Sequence, residues 1–196
     1  MKYDFDLENH KILHKKLILR FLITIVEVAA VIFAAYLITH FGLEKMTVSG
    51  EYMNPTLDDG DNILINKMSY KLFKIKRNDV VVMQQNGSGH SYYTIGRIIG
   101  LPGETIRIEK GSVYIDGNKL KEKFDFPEME NGGLALEDIT LDAEEYFMLC
   151  DNRNEGEDSR NANIGNIMRS DIIGKAWIRT NSFAIINSID EFENGE

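Results

Sequence analysis

A chain of 196 residues has room for one folded domain and an extra helix. A content of 43% hydrophobic and 27% charged residues is that of a folded protein and excludes long disorder. The net charge is −9, of which residues 1–41 hold +1, so the remainder carries −10, the wrong sign for a nucleic-acid-binding surface.

One cysteine, Cys150, excludes an internal disulfide and leaves both a cytosolic and an exported location open. Internal repeats and low-complexity tracts are absent from the sequence. Residues 1–16 are polar and turn basic at Lys11, Lys15 and Lys16, and they read as a tail. Residues 17–41, from Leu17 to Phe41, are almost wholly apolar. As a helix, the stretch from Phe21 to Phe41 spans about 30 Å, the thickness of a bilayer core. Its apolar residues run all round, as a lipid-facing segment needs. A signal peptide has a shorter apolar core; the run continues past a conceivable cleavage site after Ala30, so an uncleaved anchor is expected. Lys11, Lys15, Lys16 and Arg20 flank one end and only Glu44 and Lys45 follow the other. That asymmetry predicts a cytoplasmic tail and an extracytoplasmic body at the cell membrane. Glu27 lies inside the span, seven residues from Arg20; either it is protonated or snorkels, or it contacts another membrane helix.

The stretch Val48-Ser49-Gly50-Glu51-Tyr52-Met53-Asn54-Pro55-Thr56-Leu57 reads as a stiff extended ribbon, since Pro55 fixes its own φ and biases Asn54 towards extended geometry. It turns at Asp58-Asp59-Gly60-Asp61 into a strand at Asn62–Asn66. Further strands are predicted at Asp79–Met83, Tyr92–Ile99, Ile106–Ile108, Val113–Ile115, Tyr146–Cys150 and Gly174–Ile178. Reversals are predicted at residues 86–89, Lys110-Gly111 and Asp116-Gly117. Residues 122–143 read as loop, with Gly132-Gly133 in the middle. Short strands, tight turns and little helix predict an all-β, antiparallel domain over residues 42–190, with a tail at 191–196.

Four segments together resemble the type I signal peptidase family, the membrane-anchored serine–lysine proteases that cut signal peptides from exported proteins. They are Gly50–Leu57; Gly60-Asp61 with Asn78–Val81; Gly96-Arg97-Ile98-Ile99-Gly100-Leu101-Pro102-Gly103-Glu104; and Tyr146–Arg153 running on to Asp158-Ser159-Arg160. The resemblance implies coiled antiparallel sheets and an extended groove lined by Gly50, Glu51, Tyr52, Met53, Pro55, Tyr93, Ile95 and Gly96. It also implies a structural motif of Asp151, Asn152, Arg153, Asp158, Ser159 and Arg160 with Arg97, in which Asp151 pairs with Arg97 and Asp158 with Arg160.

The family's reactive groups do not carry over. Its nucleophilic serine precedes the Met of the first segment, where this chain has Tyr52. Its general-base lysine precedes the Arg of the third, where this chain has Gly96, and its helper serine falls at Gly156. A serine–lysine site needs a hydroxyl on a small side chain and a neutral amine beside it. The phenol of Tyr52 is too long to take a serine's place, and Gly96 offers no base. Asp58, Asp59, Asp61 and Glu51 read as turn carboxylates, and Cys150 as a small buried apolar residue. No metal site and no cofactor are expected. The paired large-for-small and small-for-large changes predict that the Tyr52 ring fills the space of a lysine at 96.

The resemblance is to the catalytically degenerate, signal-peptidase-like proteins of Gram-positive pilus gene clusters. It implies an assembly factor or chaperone whose partner is a pilin subunit, the sortase that links pilins, or both. The alternatives are an active type I signal peptidase that cleaves exported precursors by unusual chemistry, and a relic with no partner.

Overall fold

The computed structural model describes residues 2–86, 91–122, 124 and 126–186. Two compact units divide the chain, Met1–Gly42 and Leu43–Glu196. The first is a single helix, α1 (Lys2–Gly42). No glycine or proline occurs between Lys2 and Phe41, so nothing in the backbone chemistry breaks it. The residues read as a tail are helical from Lys2 onward. Within the helix, Lys15–Gly42 is long and apolar enough to cross a membrane. The hydroxyls of Thr24 and Thr39 donate back to the carbonyls of Arg20 (3.1 Å) and Ala35 (3.0 Å), so neither is left unsatisfied on the apolar surface.

The second unit is built of antiparallel strands: β1 (Leu43–Thr47), β2 (Asn62–Asn66), β3 (Val80–Asn86), β4 (Ser91–Gly100), β5 (Thr105–Glu109), β6 (Ser112–Ile115), β7 (Asn118–Lys119), β8 (Ile139–Thr140), β9 (Glu145–Leu149), β10 (Ile167–Met168), β11 (Ile172–Arg179) and β12 (Ala184–Ile185). Among the described residues the larger sheet runs β1-β2-β11-β3-β4-β9-β10, with β12 on β11; the smaller runs β7-β6-β5-β8.

Both faces of β3 are buried, which accounts for its unbroken apolar run. Val80 and Val82 pack into one cluster with Met53, Leu57, Ile63 and Ile95. Val81 and Met83 point the other way, into a cluster with Ile98, Met148 and Ile172. On β9, Met148 joins that second cluster, while Phe147 and Leu149 join a third with Ile99, Ile106 and Val113 under the smaller sheet.

The stretch 122–143 holds more structure than its polarity suggests. Gly133–Leu136 forms a 3-10 turn and Ile139 pairs with Ile106. The region of residues 50–57 is also corrected. It is a compact series of turns, with Asn54 N–H donating to Glu51 O (3.1 Å) and Leu57 N–H to Met53 O (2.9 Å). The expected reversal at 86–89 falls largely on residues 87–90, and the tail at 191–196 wholly, outside the described residues.

Candidate active site and substrate groove

A buried polar knot holds the 50–57 loop in place. Arg97 on β4 and Asp151 after β9 are both 0% exposed. They meet side by side, with Nε to Oδ1 at 2.7 Å and Nη2 to Oδ2 at 2.5 Å. Thr56 from the loop closes the knot: its hydroxyl donates to Asp151 and accepts from Arg97. The fourth participant is the Asn78 carbonyl, which accepts from Arg97 Nη1 at 3.0 Å. Paired and hydrogen-bonded in this way, the two charges are compensated; breaking the pair from one side would leave a bare buried charge. Phe124 and Phe126 lie against Arg97, with ring centroids 4.5 and 5.6 Å from the guanidinium carbon. Arg153 sits 4.2 Å from the Phe126 ring and pairs with Glu122 at 2.5 Å.

A second knot shapes the far side. Asp158 accepts from both Nε (2.9 Å) and Nη2 (2.8 Å) of Arg160 and from the Cys150 backbone N–H (3.1 Å). The Ser159 hydroxyl accepts from Met148 N–H at 3.0 Å. Asn152 then ties the two walls together: its N–H donates to Tyr52 O at 3.0 Å and its Nδ2 to Glu51 O at 3.3 Å.

Tyr52 is thus held by its own backbone and is 48% exposed. The first atoms that a side chain at 96 would meet are those of Met148 and not the Tyr52 ring, against the expectation. A Cβ built on Gly96 meets Met148 instead, at 2.5 Å from Cγ, 2.6 Å from Sδ and 2.9 Å from Cε. The Tyr52 ring folds over Gly50 and against Gly156. A Cβ on Gly50 would sit 2.5 Å from Tyr52 Cε2, and one on Gly156 2.8 Å from Cδ1. Both glycines also have positive φ, +91° and +87°, so any side chain there is disfavoured twice. Of the three positions at which the family resemblance places reactive groups, Tyr52 faces Gly156, and Gly96 faces Met148.

Beside Tyr52 lies an open cavity of about 460 Å³. Tyr52, Met53, Tyr93 and Ile95 line it, whereas Gly50, Glu51, Pro55 and Gly96 do not. Sequence reasoning missed Met46, Ser49, Tyr92, Cys150 and Glu157, which complete much of its wall. Tyr92 and Glu157 were within reach, each standing beside a residue already singled out. So were Ser49, Thr94 and Cys150; Met46, Gln85 and Ile164 join the wall only through tertiary folding.

The lining side chains offer phenols, the hydroxyls of Ser49 and Thr94 and the carboxylate of Glu157, and among the described residues no lysine or histidine. Burial pushes the Cys150 thiol up to about 12, with the Asp158 carboxylate adding to the effect, so it stays protonated and unreactive at neutral pH. The carboxylates after the loop are occupied as turn caps: Asp59 accepts from Gly50 N–H (2.7 Å) and Asp61 from Asp58 N–H (3.0 Å). Among the described residues, no group of three or more His, Cys, Asp or Glu is placed to hold a metal ion.

The family model "Signal peptidase, peptidase S26" matches residues 19–180. Signal peptidase I P of Bacillus subtilis subsp. natto is 35% identical over 147 residues, which cover 71% of this chain and 77% of that protein. Signal peptidase I T of Bacillus subtilis strain 168 is likewise 35% identical over 147 residues, covering 71% of this chain and 75% of its own length. A crystal structure of a signal peptidase I from Enterococcus faecalis V583 is 28% identical, with a TM-score of 0.41 over 53% of this chain and 97% of that one. With a match that spans the apolar helix and both polar knots, the chain belongs to the signal peptidase, peptidase S26 family.

Proposed function

We propose that the chain is a membrane-anchored signal peptidase homologue that grips an extended polypeptide without cutting it and serves as an assembly factor for pilus subunits at the cell surface. One observation carries the non-cutting part: a methionine, Met148, faces Gly96, and among the described residues no amine or imidazole lines the cavity beside Tyr52. A hydroxyl needs a base to attack an amide at neutral pH, and single members of such pairs cost orders of magnitude when lost. Binding keeps its means. Residues 92–96 of β4 pair with β3 on one side, and no described strand pairs with them on the other. An extended partner segment can add there as a further strand, with alternate side chains reaching into the cavity. The partner is a pilin subunit or the enzyme that links pilins. The basic residues before the anchor favour a cytoplasmic N-terminus with the β domain outside.

A second reading is an active signal peptidase, supported by the names of the similar bacterial proteins and by the Ser49 and Thr94 hydroxyls in the cavity wall. Incubation of the membrane-bound full chain with a pilin precursor that still carries its signal peptide separates the two. Under the first reading the precursor stays intact and co-purifies with the chain. Cutting that disappears on Tyr52→Phe would overturn it.

A further inference from the structure

We infer that the cavity beside Tyr52 takes a basic side chain, lysine or arginine, carried on the extended segment of the partner. The inference rests on the reading that this cavity binds polypeptide, and it names what that polypeptide must present. Three aromatic rings line the cavity, each about half exposed: Tyr52, Tyr92 and Tyr93. Their hydroxyls have no hydrogen-bond partner among the described residues, and the Glu157 carboxylate in the same wall has no ion pair there. Among the described residues no Lys, Arg or His lines the space. Next to the lining residues in sequence stand the exposed Glu51 and Glu155, against one exposed base, Lys45.

The deeper wall is apolar, formed by Met46, Met53 and Ile95. A long aliphatic stem with a charge at its end matches both parts. Its methylenes lie on the methionines and Ile95, and its cationic head reaches the tyrosine faces and Glu157. A neutral apolar side chain would cover the carboxylate and the phenols without giving them partners, which costs free energy. An acidic one would meet like charge from Glu157 and from a domain whose net charge is −10. That domain charge also steers a basic segment towards the cavity. The preference differs from that of a site selecting only for small size, because it is set by charge.

The test uses the full chain in nanodiscs of neutral phosphatidylcholine, with 3-fluorotyrosine incorporated and the three tyrosine signals assigned by single Tyr→Phe variants. The probes are blocked peptides Ala-Ala-X-Ala-Ala with X as lysine, norleucine or glutamate, titrated by fluorine NMR. The lysine peptide is expected to bind about tenfold tighter than the norleucine peptide, the scale of a cation placed over aromatic rings. Glu157→Gln should remove most of that difference; Glu157 is exposed, so its loss does not threaten folding. Equal affinities for lysine and norleucine, or no saturable shift at millimolar lysine peptide, would overturn the inference and leave the non-cutting reading intact. Cleavage of a precursor by the chain would overturn the non-cutting reading and leave the charge preference standing.

Discussion

The contact between Gly96 and Met148 sets a measurable coupling. Gly96→Ala places a methyl carbon 2.5, 2.6 and 2.9 Å from Cγ, Sδ and Cε of a methionine that is 0% exposed. Carbon atoms do not approach so closely, so the methionine must leave its position in a packed cluster. Overpacking of this kind costs about 1–3 kcal/mol. Met148→Ala removes all three of those atoms and costs about 2–5 kcal/mol for lost burial and the cavity left behind. In the double variant the new methyl at 96 no longer clashes, and it fills part of that cavity. The double change should therefore cost less than the sum of the single changes by about 1–3 kcal/mol. Urea unfolding of the full chain in detergent reads all four corners, followed by the fluorescence of the single tryptophan, Trp177. Effects that add to within about 0.5 kcal/mol would show that the two residues do not compete for one space, and the reasoning fails.

Three further outcomes follow from the geometry. Asp151→Asn or Arg97→Lys each break a side-by-side pair that is 0% exposed, and each should lower stability by about 3–5 kcal/mol, while Glu44→Gln at the half-exposed Lys67 pair should change it by less than about 1 kcal/mol. Cys150 should resist iodoacetamide at pH 8 until the chain is unfolded. Its thiol pKa is raised from 9.0 to about 12 in the fold, so this contribution to stability is complete below pH 9 and is lost as pH rises from 9 towards 12; urea midpoints that stay flat across that range would contradict the burial argument. The triple change Tyr52→Ser, Gly96→Lys and Gly156→Ser should stay inert on a signal-peptide precursor, because Met148 blocks the lysine stem. Cutting should emerge when Met148→Ala is added, and a triple variant that cuts with Met148 in place would refute the blockage.

The parts legible in the sequence are those governed by local chemistry. The apolar run from Leu17 to Phe41 fixes a helix by itself, and the Asp116-Gly117 turn joins β6 and β7 where its residue types place it. The paired partners Arg97–Asp151 and Asp158–Arg160 were legible through the family resemblance of their motifs. The failures are non-local. Pro55 and Asn54 favour extension, yet the loop coils because Thr56 bonds Asp151 and Asn152 bonds Tyr52, partners about a hundred positions away in the chain. The neighbour of Gly96 is decided by register: Ile98 lies opposite Met148 across β4 and β9, and the methionine reaches back along the same face. Nothing in the one-dimensional pattern ranks that methionine above Tyr52 as the filler.

The central claim, a groove that holds polypeptide and lacks the means to attack it, is tested most directly by the intact mass of the purified full chain after exposure to an acylating β-lactam-type inhibitor of serine–lysine peptidases. The expected mass is that of the unmodified protein, with an active signal peptidase I acylated in parallel. A stoichiometric adduct that maps to the cavity wall, at Ser49, Tyr52 or Thr94, would contradict the account.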